Sequence, residues 1–203
     1  MFSTPKHSGA MPLTNKAIQY AIGKHAGQYR EISGLLYITH PINVMAIVYK
    51  HKNSKNLDEI CAACILHDVI EDTSLPPGMS PKGATRKEVR LYFRKAYADI
   101  RKEFNAMVAD LVWELTSDPF ELKKVGKQSY IDTKLQKISS YAALIKLADI
   151  LANANDAPKP GMIRRFRHHH DFMSGPDFGK PLTLPQQAVL FEIDHTLTSV
   201  YQA

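Results

Sequence analysis

Between Leu57 and Ile70 the chain reads LDEICAACILHDVI, and from Ile60 to Leu66 it offers no polar side chain that a helix could turn towards water. A helix that is apolar all round must be covered on every side. This segment therefore predicts the centre of a fold, with other elements packed around it. It runs directly into four ionisable groups: His67-Asp68, then Glu71-Asp72 four residues later. At helical spacing His67 shares a face with Glu71, and Asp68 with Asp72. An unpaired charge at the end of such an element costs on the order of several kcal/mol, so these groups need a metal, partners or a solvent-lined cleft. The alternative is a helix that ends at Val69, leaving Glu71 and Asp72 as solvated turn residues.

The rest of the chain follows the helical period. Ala17, Ile18, Ala21 and Ile22 predict a first helix from Asn15, stopped at Gly27. A second runs from Pro41 to about His51, with Thr39 as its cap and Pro41 in its first turn. The segment TSLPPGMSPKGAT reads as a loop. Val89, Tyr92, Phe93, Ala96, Ile100, Phe104, Val108, Leu111, Val112 and Leu115 then fit one or two amphipathic helices. Residues 127–137 and 139–156 predict two more, the second ended by PKPG at 158–161. RRFRHHHDFMSGPDFGKPLT reads as irregular, and LPQQAVLFEIDHTLTSVY as a terminal helix. No segment longer than a few residues alternates at the strand period. The expectation is a loose tail over 1–13 and one all-α domain over 14–203. Its loops fall at 27–38, 73–85 and 157–184, and a helical extension starts at about 157.

Lys and Arg number 26 against 20 Asp and Glu, a net charge of +6. The basic residues are spread over several segments without interleaved aromatics, which disfavours a nucleic-acid partner and suits a small polyanion. No apolar run approaches the roughly 18 residues of a membrane span, and the first residues lack the apolar core of a secretory signal. With only Cys61 and Cys64, a disulfide framework is excluded. These features predict a cytoplasmic protein without a membrane partner; assembly into a homo-oligomer is left open.

Asp149 stands in ALIKLADILANA, where Leu144, Ile145, Leu147, Ala148, Ile150 and Leu151 leave little polar surface. An aspartate so placed is more often paired or functional than decorative. His40 precedes Pro41, where a helix cap or a satisfied core histidine is the alternative reading. Together His40, His67, Asp68 and Asp149 supply two imidazoles and two carboxylates, a set suited to one borderline-to-hard divalent ion with room for water. Such an ion lowers the pKa of bound water from about 15.7 towards about 7, and Glu71 and Asp72 stand one turn further on to orient that water or carry its proton. The reaction class is metal-assisted hydrolysis.

In order and wording these residues resemble the HD metal-dependent phosphohydrolase superfamily. GQYR (27–30), YITHP (37–41), ILHDVIEDT (65–73) and LIKLADILAN (144–153) are similar to the hydrolase domain of the RelA/SpoT-homologue family, over about residues 15–157. That resemblance implies an HD-domain helical bundle and removal of the 3′-pyrophosphate from (p)ppGpp or (p)ppApp. It implies a manganese ion (Mn2+) on His40, His67, Asp68 and Asp149, with Glu71 and Asp72 as the water-activating pair. It further implies that Arg30 clamps phosphate and Asn153 contacts the nucleotide, with Lys146, Lys127 and Arg164 as further substrate-binding positions. A solvated helix face is the alternative for the lysines. Where the family carries basic residues after Arg30 and after Asp149, this chain has Glu31 and Ile150, so the preference between guanine and adenine is left open. The 50 residues after Asn153 are too few for the synthetase domain of long RelA/SpoT proteins, so the chain is expected to degrade alarmone and not make it. Two other readings stand beside this one: another HD-family nucleotide phosphohydrolase, and a non-catalytic alarmone-binding regulator or antitoxin-like protein.

Other features have plainer readings. Cys61 and Cys64 are expected to be core, Trp113 helix core, His168, His169 and His170 an exposed basic loop, and His25 and His51 ordinary helix residues.

Overall fold

The computed structural model describes residues 10–156 and 158–199. Those residues form an all-α bundle: α1 (Pro12–Lys24), α2 (Thr39–His51), α3 (Leu57–Leu66), α4 (Val69–Thr73), α5 (Arg86–Glu103), α6 (Ala106–Leu115), α7 (Pro119–Val125), α8 (Lys127–Lys137), α9 (Ser140–Ala154), α10 (Pro160–Ser174), a 3₁₀ turn at Pro176–Phe178, and α11 (Leu184–Ser199). The only extended pairing among them is a single bridge, Tyr29 to Leu36.

Two helices occupy the centre. In α3 every residue from Ile60 to Leu66 is buried, as the absence of a polar face requires; it packs against α1, α2 and α6. In α9 the buried positions run from Ala142 to Ile145 and from Leu147 to Ala152, because α2, α6 and α11 cover it. Cys61 and Cys64 belong to this core. Burial, then Asp58, pushes the Cys61 thiol up to about 12, and burial raises Cys64 as well, so both stay protonated and pack as small apolar groups.

Capping explains much of the segmentation. Thr85 and Glu88 close a reciprocal capping box on α5, and Asn105 accepts from Val108 to start α6. The charged stretch is thus two helices. Asp118 caps α7, a short helix that the period did not reveal. Gly126 joins α7 to α8 at φ 87°, in a region where a side chain would be strained.

Four expectations need correction. The first helix begins at Pro12, inside the stretch read as tail, because proline is favoured in a first helical turn; residues 1–9 of that tail lie outside the described residues. LDEICAACILHDVI is not one helix. The His67 imidazole donates from Nδ1 to the Cys64 carbonyl at 2.8 Å, the acceptor that residue 68 would use in a continuous helix. The chain therefore turns at His67-Asp68, and α4 carries on past Val69 to Thr73. The stretch read as a loop over 157–184 contains α10: PKPG ends α9, but Pro160 also opens the next helix. His168, His169 and His170 accordingly lie on a helix, with His169 buried. Trp113, expected in the core, is 41% exposed.

Candidate metal centre and cleft

Three elements bring the ionisable core together. The first turn of α2 supplies His40, the break between α3 and α4 supplies His67 and Asp68, and the middle of α9 supplies Asp149. His40 Nε2 lies 3.1 Å from Asp149 Oδ1 and 3.8 Å from Asp68 Oδ2; His67 Nε2 lies 2.9 Å from Asp68 Oδ2 and 3.8 Å from Asp149 Oδ1. Both imidazoles and Asp149 are buried. These distances suit donor atoms sharing one ion: ligands about 2.1 Å from a common centre stand roughly 3 Å or slightly more apart.

The state of His67 provides the test of that fit. Its Nδ1 is committed to the Cys64 carbonyl, which leaves Nε2 as the free lone pair. That Nε2 is fully buried and has no hydrogen-bond partner among the described residues, although Asp68 Oδ2 stands 2.9 Å away. Burial opposes a proton on His67, but Asp68 and Asp149 outweigh burial and raise its pKa well above the usual imidazole range. The pocket thus draws in positive charge, and a divalent ion satisfies Nε2 and both carboxylates together.

The surrounding side chains hold the donors in place. Tyr37 donates to Asp68 Oδ2 at 2.6 Å, and its ring stacks on His25 at 4.5 Å. His25, given no role from the sequence, is buried and bonded to Gln28. Asn153 donates to Asp149 Oδ1 at 2.6 Å, and its own Oδ1 accepts from Arg30 at 2.8 Å; Arg30 is also paired with Asp156 at 2.8 Å. Asp149 Oδ2 accepts from Lys146 at 2.7 Å. Burial works against the charge on Lys146, but Asp149 overrides it and raises the ammonium pKa. Lys146, Asp149 and Asn153 share one face of α9 because they are three and four residues apart.

Above this floor opens a cleft whose lining includes four cationic side chains, Arg30, Lys127, Lys146 and Arg165, and four apolar ones, Ile131, Ile150, Met162 and Phe166. Arg30, Lys127, Lys146 and Asn153, singled out from the sequence, all reach it. Arg164 does not; it is exposed, and the neighbouring Arg165 lines the cleft instead. Met162, Phe166, His169 and Met173 recur at intervals of four, three and four residues, a helical stripe that could have revealed α10. Tyr37 was within a quoted motif, and its hydroxyl three residues before His40 was the available signal.

The two acidic residues after the break have different surroundings. Glu71 Oε1 accepts from the Ser117 amide at 2.6 Å, and burial followed by Asp68 raises its pKa. Asp72 has its outer surface open to solvent; partial desolvation, then Asp68, pushes it up to about 7.

The HD domain family matches residues 37–154, more than half of the chain. The guanosine-3′,5′-bis(diphosphate) 3′-pyrophosphohydrolase MESH1 of Drosophila melanogaster is 32% identical over 142 residues, 70% of this chain and 67% of that protein. Human MESH1 gives the same figures. A GTP pyrophosphokinase rsh of Brucella ovis is 35% identical over 151 residues, which cover 70% of this chain and 16% of the Brucella protein. Among solved structures, a metazoan ortholog of SpoT described as hydrolysing ppGpp superposes with a TM-score of 0.66 at 23% identity, covering 99% of both chains, and so shares the fold. Four blocks in sequence order, His40, His67 and Asp149 gathered at one buried point with Asp68 beside His67, and this set of relatives agree: the chain belongs to the HD domain family, in the group that contains the MESH1 proteins.

Proposed function

We propose that the protein hydrolyses the 3′-pyrophosphate of alarmone nucleotides, (p)ppGpp or (p)ppApp, releasing pyrophosphate and the nucleoside 5′-di- or triphosphate. One observation carries the reading: a buried nitrogen of His67 faces two carboxylates beneath a cleft whose lining carries four cationic side chains. His40, His67, Asp68 and Asp149 would hold the ion, Mn2+ by resemblance. When bound, it supplies Lewis acidity and an activated water at neutral pH.

The protein's own groups do the rest. Tyr37 and Asn153 fix the carboxylates of Asp68 and Asp149, and through them the orientation of the donors. Arg30, Lys127 and Arg165 bind phosphate oxygens and stabilise the charge that builds on them in the transition state. Ile131, Ile150, Met162 and Phe166 in the cleft lining exclude water and pack on a nucleobase face. Guanine and adenine both have such a face, so both substrates are proposed. Glu71 and Asp72, the water-activating pair that the resemblance implies, stand one turn beyond the Asp68 donor, and Asp72, pushed up to about 7 by desolvation and then by Asp68, is assigned to accept the proton of the attacking water. Glu71, tied to the Ser117 amide, holds α4 and its Asp72 in register.

The test is direct: purified protein with Mn2+ is given ppGpp and ppApp, and products are identified. Pyrophosphate release supports the proposal. Orthophosphate release would favour another HD-family phosphohydrolase, and tight binding without turnover would favour a regulator or antitoxin-like protein; either result overturns it.

A further inference from the structure

A second group of histidines and an aspartate lies outside the four-residue centre, between α8 and α10. His168 Nε2 approaches Asp132 Oδ2 at 2.8 Å, and His169 Nδ1 faces Asp132 Oδ1 at 3.7 Å. All three donor atoms lie within 4.8 Å of one another. His169 is 3% exposed. Both its Nδ1 and Asp132 Oδ1 are fully buried without a hydrogen-bond partner among the described residues. Two buried acceptor atoms, facing each other just beyond hydrogen-bonding distance, leave a polar gap that favours a cationic occupant. Two imidazoles and one carboxylate, with the fourth side open through the partly exposed His168, match the ligand type and number of a tetrahedral site that keeps one position for water.

We infer that Asp132, His168 and His169 form a second cation site, for a borderline transition ion of the Zn2+ class. Two considerations choose that class. Mg2+, Ca2+ and Mn2+ depend on oxygen donors, whereas imidazole nitrogen favours ions towards the zinc and copper end of the divalent series. Among the described residues Asp132 is the one carboxylate at the gap, and Lys146 and Arg165 act on His169 as positive neighbours, so bonds to nitrogen and not net charge must hold the ion. Burial, then Lys146, pushes the His169 imidazole down to about 4, so it offers a neutral lone pair at any physiological pH.

The position indicates what the ion does. Asp132 belongs to α8, which carries Lys127 and Ile131; the two histidines belong to α10, which carries Arg165 and Phe166. An ion there links the two helices that form one wall of the cleft. His169 itself lines the cleft, so this link stands directly behind the groups that would meet a ligand. Metal binding here does not depend on what the cleft hydrolyses, and its test does not need the substrate.

The experiment uses the full chain, stripped with chelator, titrated with Zn2+ or Mn2+ and desalted, with bound metal measured by mass spectrometry. The expected result is two zinc ions per wild-type chain but one manganese. Asp149→Asn and Asp132→Asn each retain one zinc, the double variant none, and His170→Ala retains two. A wild-type chain that holds one zinc, an Asp132→Asn protein that keeps its second, or a His170→Ala protein that loses one would overturn the inference. Should Asp149→Asn keep two ions, the four-residue centre fails and this site does not. His168→Gln provides the same test if Asp132→Asn does not fold. A melting-temperature rise on adding Zn2+ to Asp149→Asn, abolished when His168→Gln is added, is the second readout; a rise that persists in the double variant counts against the site.

Discussion

The two histidine clusters make a controlled comparison within one molecule. Each contains a consecutive pair, His67-Asp68 in one and His168-His169 in the other, and each lies against the same cleft. In the first, the helix breaks at the pair, so adjacent side chains converge: His67 Nε2 comes within 2.9 Å of Asp68. In the second, α10 continues through the pair, and the two rings diverge to reach different oxygens of Asp132. Their electrostatics are opposed. Asp68 and Asp149 overcome burial and raise His67, whereas burial and Lys146 lower His169 to about 4. The same side chain, equally buried, is thus prepared to hold positive charge in one place and to refuse a proton in the other. Carboxylate count and backbone direction, more than histidine itself, decide which kind of ion each cluster can take.

The sharpest way to break the comparison is to remove the corresponding carboxylate from each side. Asp149→Asn is expected to reduce alarmone turnover to background, while Asp132→Asn leaves kcat within a few-fold of wild type in steady-state pyrophosphate release. Equal losses would mean that the clusters are one functional unit. Next in size is the acid beyond the first cluster. Asp72→Asn should lower kcat by about 10²–10⁴-fold with bound manganese unchanged, and Glu71→Gln should lower it less; the reverse order would move the base to Glu71.

A smaller effect tests the brace on Asp149. Asn153→Ala removes a partner of its Oδ1 and should weaken manganese affinity by about 10–100-fold, with zinc at the second cluster unaffected. The cleft wall gives a paired control: Arg165→Ala should raise KM about tenfold, the scale of one hydrogen bond to a charged group, and Arg164→Ala should leave it unchanged. The smallest effect is on stability against pH, measured by denaturant unfolding in chelator. Because His169 is lowered when folded, the unfolded chain binds the extra proton between about 6.5 and about 4. Its stabilising contribution is fully present above about 6.5 and is lost as pH falls through about 4. His169→Phe should flatten the curve there; an unchanged slope would refute the burial assignment.

Much of the first cluster was legible in the sequence because an apolar context makes charge conspicuous. Asp149 among leucines and isoleucines, and His67-Asp68 after seven apolar residues, cannot be solvated where they stand. The second cluster had no such contrast. His168, His169 and His170 sit among arginines and after a proline, and the polar composition concealed a helix whose stripe of Met162, Phe166, His169 and Met173 faces inward, the last three of them buried.

Periodicity and the placement of polar groups in apolar runs thus indicated from the sequence alone that the chain is all-α, that the segment of α3 is central, and which four residues to propose as ligands of a cation. Tertiary structure alone decided that the helix breaks at His67, that Arg165 and not Arg164 meets the cleft, that Lys146 is tied to Asp149, and that Asp132 lies opposite two histidines 36 and 37 positions away. The physical reason is the range of the forces. Helix formation and burial are read from neighbours three and four residues apart. Competition for a carbonyl or a carboxylate is settled only when distant segments arrive at the same place.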